Sequence, residues 1–234
     1  MEFIAGMKVM NDLEVLYEDN HIIVVVKPNN VLSQADNTGD LDMLTLVKKY
    51  LKEKYNKPGN VYLGLIHRLD RPVSGVMVFA KTSKAAARIS RQVQDRVFKK
   101  TYLAVVRGAD IEDSGEYVDY LVKLNDHSSQ VVDKEKGKYC KLVYTVLERN
   151  ERLNLALVKI NLETGRHHQI RVQFAYHHHV LYGDQRYGKQ DNYQIALHAY
   201  RVELIHPITK EKMSFEKEPP KIGVWANFKR VSIK

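Results

Sequence analysis

A short polar stretch, "HRLDRPVSG", separates two apolar runs and contains a candidate catalytic carboxylate. Its aspartate, Asp70, lies between Arg68 and Arg71. Pro72 biases the residue before it toward an extended conformation, and Gly75 tolerates dihedral angles that are closed to other residues. The loop is therefore predicted to be constrained, as a catalytic carboxylate requires.

Asp70 is expected to be ionised at neutral pH, because the neighbouring arginines favour the charged form of the carboxylate. An ionised aspartate suits nucleophilic attack or general-base catalysis and is unsuited to donating a proton. The alternative is structural, since an aspartate in a turn commonly accepts backbone N–H groups and pairs with a nearby arginine. Both interpretations stay open on this loop alone.

A second polar segment, "ETGRHHQIRVQFAYHHH", follows later in the chain. If it is helical, Gln169 and Gln173 share one face, Arg166 lies near the N-terminus, and Arg171 can project toward a carboxylate. Histidines invite a metal interpretation, but no carboxylate or cysteine accompanies them at a recognisable spacing, and they fall at the two ends of the segment. We therefore predict no metal site from His167, His168, His177, His178 and His179.

The elements that must position these residues are mostly strands. Apolar runs rich in Val and Ile predict strands over 21–28, 61–66, 76–80 and 100–108, with hairpins over 140–163 and 196–216. Helical spacing of apolar residues predicts helices over 40–54, 82–98 and 166–178. Most connections are too short for right-handed crossovers. The sequence thus predicts an α+β fold with a mixed, mainly antiparallel β-sheet and flanking helices.

Charge and composition limit the classes of function. Lys and Arg number 37 against 28 for Asp and Glu, a net charge of +9, which favours a polyanionic partner such as nucleic acid or an anionic membrane surface. A merely solvated basic surface is the alternative. The single cysteine, Cys140, excludes an internal disulfide and a thiolate zinc site.

Domain organisation and location are also predicted. No apolar run is long enough for a membrane span, and the first residues lack the features of a signal peptide. We expect a cytoplasmic protein with no membrane association. Without linkers or repeats, the chain is predicted to form a flexible N-terminal segment over 1–12 and a single catalytic domain over 13–234.

Several motifs, in chain order, resemble those of the RluA-type pseudouridine synthases. "HRLDRPVSGVMVFAKTSKAA" is similar to the central HRLDRxTSG motif of that family, and "KKTYLAVVRG" resembles its KxYxAxVxG segment. "ETGRHHQIRVQFAYHHHVLYGDQRYG" resembles its TGRTHQIRVH…GDxxYG block, and the chain ends with a similar LHA…HP…F…P pattern. The resemblance extends from about Leu13 onward and implies the pseudouridine synthase catalytic fold.

The resemblance also implies an activity and its residues. Asp70 matches the catalytic aspartate, Arg68 the arginine that fills the space left by the flipped nucleotide, Tyr102 the tyrosine that packs on the uracil, and Arg171 the arginine that pairs with the catalytic aspartate. The implied reaction isomerises uridine in RNA to pseudouridine. It changes no redox state, so no cofactor and no metal are expected.

The implied partner is RNA, ribosomal RNA first and transfer RNA second, and the protein is expected to be a monomer with no obligatory protein partner. Two positions depart from the family pattern, because Val73 and His167 each stand where threonine is usual. A catalytically silent RNA-binding module and a glycoside hydrolase are the rival interpretations. A hydrolase needs two carboxylates about 5 to 10 Å apart, and no second carboxylate accompanies Asp70 in its loop.

Overall fold

The protein is described by a computed structural model that covers residues 13–231, so the flexible segment predicted over 1–12 lies outside the described residues. The chain divides into two compact units. Of the described residues, the first contains the chain up to Phe98 together with Arg201–Lys217, and the second contains Lys99–Tyr200 together with the chain from Glu218 onward. The single catalytic domain over 13–234 stays a prediction.

The described residues form strands, α-helices and short 3-10 helices. The strands are β1 (Val15–Glu18), β2 (Ile22–Lys27), β3 (Gly64–Leu65), β4 (Ser74–Ala80), β5 (Lys99–Arg107), β6 (Ser114–Lys123), β7 (Ser129–Val131), β8 (Lys138–Asn150), β9 (Leu155–Leu162), β10 (Leu197–Ile205) and β11 (Lys212–Glu216). The helices are α1 (Met43–Lys54), α2 (Ser83–Gln94) and α3 (Gln169–Tyr176), with 3-10 turns at Glu151–Leu153 and Gly223–Asn227.

In the first unit, antiparallel strands are packed against α2. β2 pairs with β1 and with β4, β3 pairs with the end of β4, and β10 pairs with β11, all in antiparallel register. Alternate residues of β2 and β4 face the same apolar cluster, as the period of a strand requires. The cluster contains Ile22, Val24, Val76, Val78, Ile89, Phe98, Val202 and Leu204.

Both helices of the first unit begin at a side-chain cap. The side chain of Asp42 caps α1, and the hydroxyl of Thr82 caps α2 by accepting a backbone N–H at 3.1 Å. The helix predicted to reach residue 98 ends at Gln94 instead. Arg96 has a left-handed φ of 57°, and the two N–H groups that follow it donate to the Gln92 carbonyl. This closing turn ends α2.

The second unit is an antiparallel meander with α3 packed on it. β5 pairs with β9, β9 with β8, β8 with β6, and β6 with β7. A 3-10 turn, Glu151–Leu153, joins β8 to β9, and Asn154 leaves it with a φ of 50°. One core cluster contains Leu103, Val105, Leu155, Leu157, Ala196, Tyr200, Trp225, Phe228 and Val231. A smaller one contains Leu121, Cys140 and Val172.

The prediction of an α+β fold with a mainly antiparallel sheet and flanking helices is confirmed. β6 and β7 were not predicted from the sequence, and β3 is shorter than the predicted 61–66 strand. Between residues 13 and 231, no helix is both long enough and apolar enough to cross a membrane.

Candidate active site

A buried lysine fixes the loop that carries Asp70. Lys27, the last residue of β2, is 0% exposed. Its ammonium donates to the carbonyl oxygens of Pro28 at 3.0 Å, Arg71 at 2.9 Å and Val73 at 2.7 Å. An ammonium has three N–H donors, and here each of the three carbonyls occupies one. Two of these three carbonyls belong to the loop, so Lys27 ties the loop to the core strand.

The loop is also fixed on its other side, by a buried hydroxyl. Ser33 Oγ donates to the Leu69 carbonyl at 2.7 Å and accepts the Leu69 N–H at 3.0 Å. The side-chain amide of Asn29 donates to the Pro72 carbonyl at 2.7 Å. Hydrogen bonds of this kind stop the backbone on both sides of Asp70 from shifting.

Asp70 itself begins a tight turn. The Val73 N–H donates to the Asp70 carbonyl at 3.0 Å, and Asp70 is partly exposed. The adjacent arginine, Arg71, pairs with Asp40 at 2.7 Å. Val73 is 2% exposed, so the valine that replaces the usual threonine adds an apolar side chain to the core.

The charges around this loop are coupled. Burial lowers the pKa of Lys27 to about 7, the negative charge of Asp70 opposes that shift, and the positive charge of Arg71 adds to it. A buried ammonium is costly unless its donors are satisfied. The Asp70 carboxylate therefore stabilises the cation that holds its own loop.

The residues before Asp70 divide between core and solvent. His67 Nε2 accepts the Val78 N–H at 3.1 Å, and the imidazole ring packs against Phe98 with centroids 5.3 Å apart. Arg68 is exposed and Leu69 is buried. The chain is thus anchored at alternate positions, and Arg68 is presented to solvent.

Tyr102 lies in the second unit, in the middle of β5. It is 6% exposed and sits opposite Ile160 in the antiparallel register with β9. Strands on a central ladder are among the most rigid parts of a fold. Tyr102 is therefore held on a rigid support.

Arg171, on α3, forms a buried ion pair. Its Nε and Nη2 each donate at 2.8 Å to one oxygen of Asp184, and the two residues are 6% and 2% exposed. The guanidinium carbon also lies 5.2 Å from the centroid of the Tyr187 ring. Backbone N–H groups of Arg186 and Tyr187 donate to Asp184 as well. Such a pair has the geometry that compensates burial of two charges.

Buried amides hold the same helix from its other face. Gln169 donates to Gln173 at 3.0 Å, as the predicted shared face requires. Gln173 in turn donates to Asp119 at 2.6 Å, and His177 Nε2 lies 3.1 Å from the same carboxylate. The side chain of Gln169 also accepts from Thr164 Oγ1 at 2.8 Å. These contacts fix the rotation of α3 about its axis.

Two further histidines of the segment are also bound within the protein. His167 Nδ1 lies 2.9 Å from Ser129 Oγ, and His168 Nδ1 lies 2.7 Å from the Tyr187 hydroxyl. The two imidazole rings stack with centroids 3.8 Å apart. His167, which stands where threonine is usual, thus contributes a hydrogen bond and a ring contact of its own.

The sequence identified four candidate site residues, and the structure places two of them in each unit. Arg68 and Asp70 lie in the first unit, and Tyr102 and Arg171 lie in the second. The polar residues that support these four were missed, above all Lys27 and Asp184. A lysine that ends an otherwise apolar strand, "IIVVVK", was the available signal for Lys27.

Comparison with known proteins defines the class. The profile of the RNA pseudouridylate synthase family matches residues 21–176, two thirds of the chain, and the chain belongs to this family. An uncharacterized RNA pseudouridine synthase of Bacillus subtilis is 34% identical over 203 residues, which is 86% of this chain and 66% of that protein. Ribosomal large subunit pseudouridine synthase D of Pseudomonas aeruginosa is 35% identical, over 92% of this chain and 70% of its own. The family's enzymes are isomerases.

Solved structures share the fold. Human RNA pseudouridylate synthase domain containing 4 superposes with a TM-score of 0.77 at 20% identity, covering 94% of each chain. Human RNA pseudouridylate synthase domain containing 1 gives a TM-score of 0.70 at 23% identity, over 91% of this chain and 85% of its own. The chain spans about two thirds of the length of the curated relatives that it matches.

Proposed function

We propose that this protein isomerises specific uridines of structured RNA to pseudouridine, with Asp70 as the catalytic residue. The observation that carries the proposal is the rigid loop around Asp70, in a chain that belongs to the RNA pseudouridine synthase family. Catalysis requires that the reacting group be held in place before the substrate arrives. Lys27, Ser33 and Asn29 supply that support.

Asp70 acts as an ionised carboxylate in this proposal. The reaction breaks the bond between C1′ and N1, turns the base, and joins C1′ to C5 of the same uracil. A carboxylate promotes it by attacking C1′ or the ring, or by removing a proton from the sugar. The net change is an isomerisation, so the reaction consumes no oxidant, reductant or other co-reactant.

The other predicted residues bind the substrate. Arg68, which is exposed beside Asp70, fills the gap in the RNA stack after the target nucleotide has flipped out, a step that costs a few kcal/mol. Tyr102 packs against the uracil ring. Arg171 contributes to substrate binding from α3, where its guanidinium is held by Asp184.

Ribosomal RNA is the substrate we favour, with transfer RNA second. Relatives named ribosomal large subunit pseudouridine synthase C and D support this choice, including the Pseudomonas aeruginosa protein at 35% identity. The net charge of +9 suits the phosphate backbone of either RNA. We further propose that the protein works in the cytoplasm as a monomer without an obligatory protein partner.

The test is chemical mapping of pseudouridine in total RNA from cells that lack the gene, complemented with wild type or with Asp70→Ala. We expect one or a few sites in large-subunit ribosomal RNA to disappear with the gene and to return only with wild type. Asp95→Ala, which removes an exposed carboxylate from the end of α2, is the matched control and should restore every site.

Restoration by Asp70→Ala would reject the catalytic assignment and leave the activity in place. An unchanged map in the deleted strain, together with no conversion of transcribed ribosomal or transfer RNA by purified protein, would reject the proposed function as a whole.

A further inference from the structure

A stack of planar side chains lies on the second unit, formed by residues to which the proposed function assigns no role. The rings of Tyr182 and Tyr193 stack with centroids 5.2 Å apart and planes inclined by 26°. The guanidinium carbon of Arg107 lies 4.9 Å from the Tyr182 centroid. These three residues are called the tyrosine stack below. Tyr193 is its exposed member, with 54% of the residue open to solvent.

The tyrosine stack is fixed from several directions. Asp191 pairs with the Arg107 guanidinium and also accepts the Tyr193 N–H at 3.2 Å. The Tyr182 backbone donates to Val105 at 2.8 Å and accepts from Ala196 at 2.9 Å. A ring held in this way loses little freedom when a ligand stacks on it. Such an arrangement presents an aromatic surface to solvent at low entropic cost.

The charge of the surrounding segment favours an anionic ligand. Residues 181–194 contain two carboxylates, and each is bound by an arginine from outside the segment, Asp184 by Arg171 and Asp191 by Arg107. The two cations of the segment, Arg186 and Lys189, are exposed. The segment and its two arginine partners thus have four positive and two negative side chains, an excess that favours a phosphate backbone.

We propose that the tyrosine stack binds an unpaired nucleobase of the RNA strand, which stacks on the Tyr193 ring. This rests on the proposed function, because an RNA substrate supplies the strand. Proteins bind unpaired RNA bases on aromatic side chains, since every base has a π face, and cations beside the ring engage the phosphates. The bound base is an additional nucleotide of the substrate, separate from the target uracil assigned to Tyr102.

The experiment measures binding by fluorescence anisotropy with two labelled probes of equal length, an oligoadenylate and an abasic ribose phosphate oligomer. Tyr193→Ala is expected to weaken oligoadenylate binding roughly tenfold and to leave binding of the abasic oligomer unchanged. Tyr193→Phe keeps the ring and should bind as wild type. Tyr193→Leu keeps apolar contact with Tyr182 and should still lose the same affinity.

The matched control is Tyr176→Ala, which removes an equally exposed tyrosine (57%) from the end of α3 in the same unit. It should change neither affinity. Thermal unfolding of each variant separates lost binding from lost structure, and Tyr193→Leu serves if the alanine variant unfolds.

The proposal is overturned if wild type binds the abasic oligomer as tightly as oligoadenylate, or if removing the ring weakens both probes equally. An equal loss in Tyr176→Ala would overturn it as well. These binding measurements do not depend on conversion of uridine to pseudouridine, so they test the proposal independently of the proposed function. Its failure is the absence of pseudouridine with wild-type protein, whatever the result with Tyr193.

Discussion

The loop that carries Asp70 and the helix that carries Arg171 are both held by buried polar groups, but by opposite means. The loop is held by one buried charge, the Lys27 ammonium, which bonds to neutral carbonyl oxygens, and by the neutral side chains of Ser33 and Asn29. The helix depends on a paired arginine and aspartate and on a chain of amides. Burial lowers the pKa of the Lys27 ammonium to about 7, so this group can lose its proton near neutral pH. The hold on the loop should therefore respond to pH.

The largest expected effect comes from breaking the ion pair of the helix. Asp184→Ala removes both oxygens that bind the buried Arg171 guanidinium, so the free energy of unfolding should fall by about 3 to 5 kcal/mol. Urea denaturation measures this change. Asp133→Ala, which removes an exposed partner of Lys136, is the control and should cost less than about 1 kcal/mol. Equal effects of the two variants would contradict the importance of the buried pair.

Removing the buried ammonium that holds the loop should affect catalysis more than folding. Lys27→Met keeps most of the length of the side chain and removes the three hydrogen bonds of the ammonium, two of which fix the backbone near Asp70. We expect kcat to fall by roughly 100-fold, because small displacements of a catalytic group have effects of that order, while KM for RNA changes little. Lys49→Met, an exposed lysine of α1, should have wild-type kinetics. A loss confined to KM would argue against the positioning role.

The same variant tests the predicted pH response. The pKa of Lys27 is about 7 in the folded protein against 10.5 for an ordinary lysine, so between these values the unfolded chain binds a proton that the folded chain does not. Folding stability from this group therefore rises with pH over that range. The difference between wild type and Lys27→Met should shift by a few kcal/mol in favour of wild type from pH 7 to 10.5. A constant difference would mean that Lys27 keeps its proton.

A paired carboxylate in the first unit, Glu18, gives a second contribution to stability that depends on pH, in this case at acid pH. Burial alone would raise the pKa of Glu18, but hydrogen bonds from Lys54, Lys81 and Tyr55 lower it to about 2. Its stabilisation is fully present above pH 4.5 and is lost as the pH falls through about 2. Glu18→Gln should thus cost about 2 kcal/mol at pH 7 and progressively less toward pH 2.

Glu53→Gln is the control for that measurement, because Glu53 forms an exposed pair with Lys49 at 3.7 Å. When unfolding is followed by circular dichroism at decreasing pH, the difference in stability between this variant and wild type should not shrink in this way. If Glu18→Gln stays equally destabilised at low pH, the ion pairs do not account for the stabilisation.

The smallest effect is expected at the exposed ion pair of the Asp70 loop. Arg71 and Asp40 are 48% and 44% exposed, so solvent screens their attraction. Asp40→Asn should change the free energy of unfolding by less than about 1 kcal/mol and leave the rate unaltered in single-turnover assays. A large loss of rate would indicate that the loop is held from its solvent side as well.

Much of the fold followed from local patterns, and the exceptions have physical reasons. The strand over 22–27 and the two helices of the first unit were evident because apolar spacing is a local signal. β6 was missed because Asp119 takes one of its inward positions, where Gln173 and His177 bind the carboxylate. The alternation of a strand is concealed when a polar tertiary partner occupies the core face.

The candidate site was predictable to a similar extent. Asp70, Arg68, Tyr102 and Arg171 were named because they lie within short motifs. Lys27 and Ser33 contact the loop from 36 to 46 residues away in the chain, and spacing along a sequence carries no information about such contacts. The support of the site is therefore a property of the folded chain.

The single cysteine has a practical consequence for studying the motions of the second unit. Cys140 is fully buried in β8, and burial raises the pKa of its thiol to about 11. The thiolate is the nucleophile that attacks a labelling reagent, so labelling must wait until the strand separates from its neighbours. Since Cys140 is the only cysteine, the rate of modification gives the opening rate of this strand once the reagent is concentrated enough for labelling to outpace reclosing. Labelling of this one thiol can therefore measure how often this part of the sheet opens.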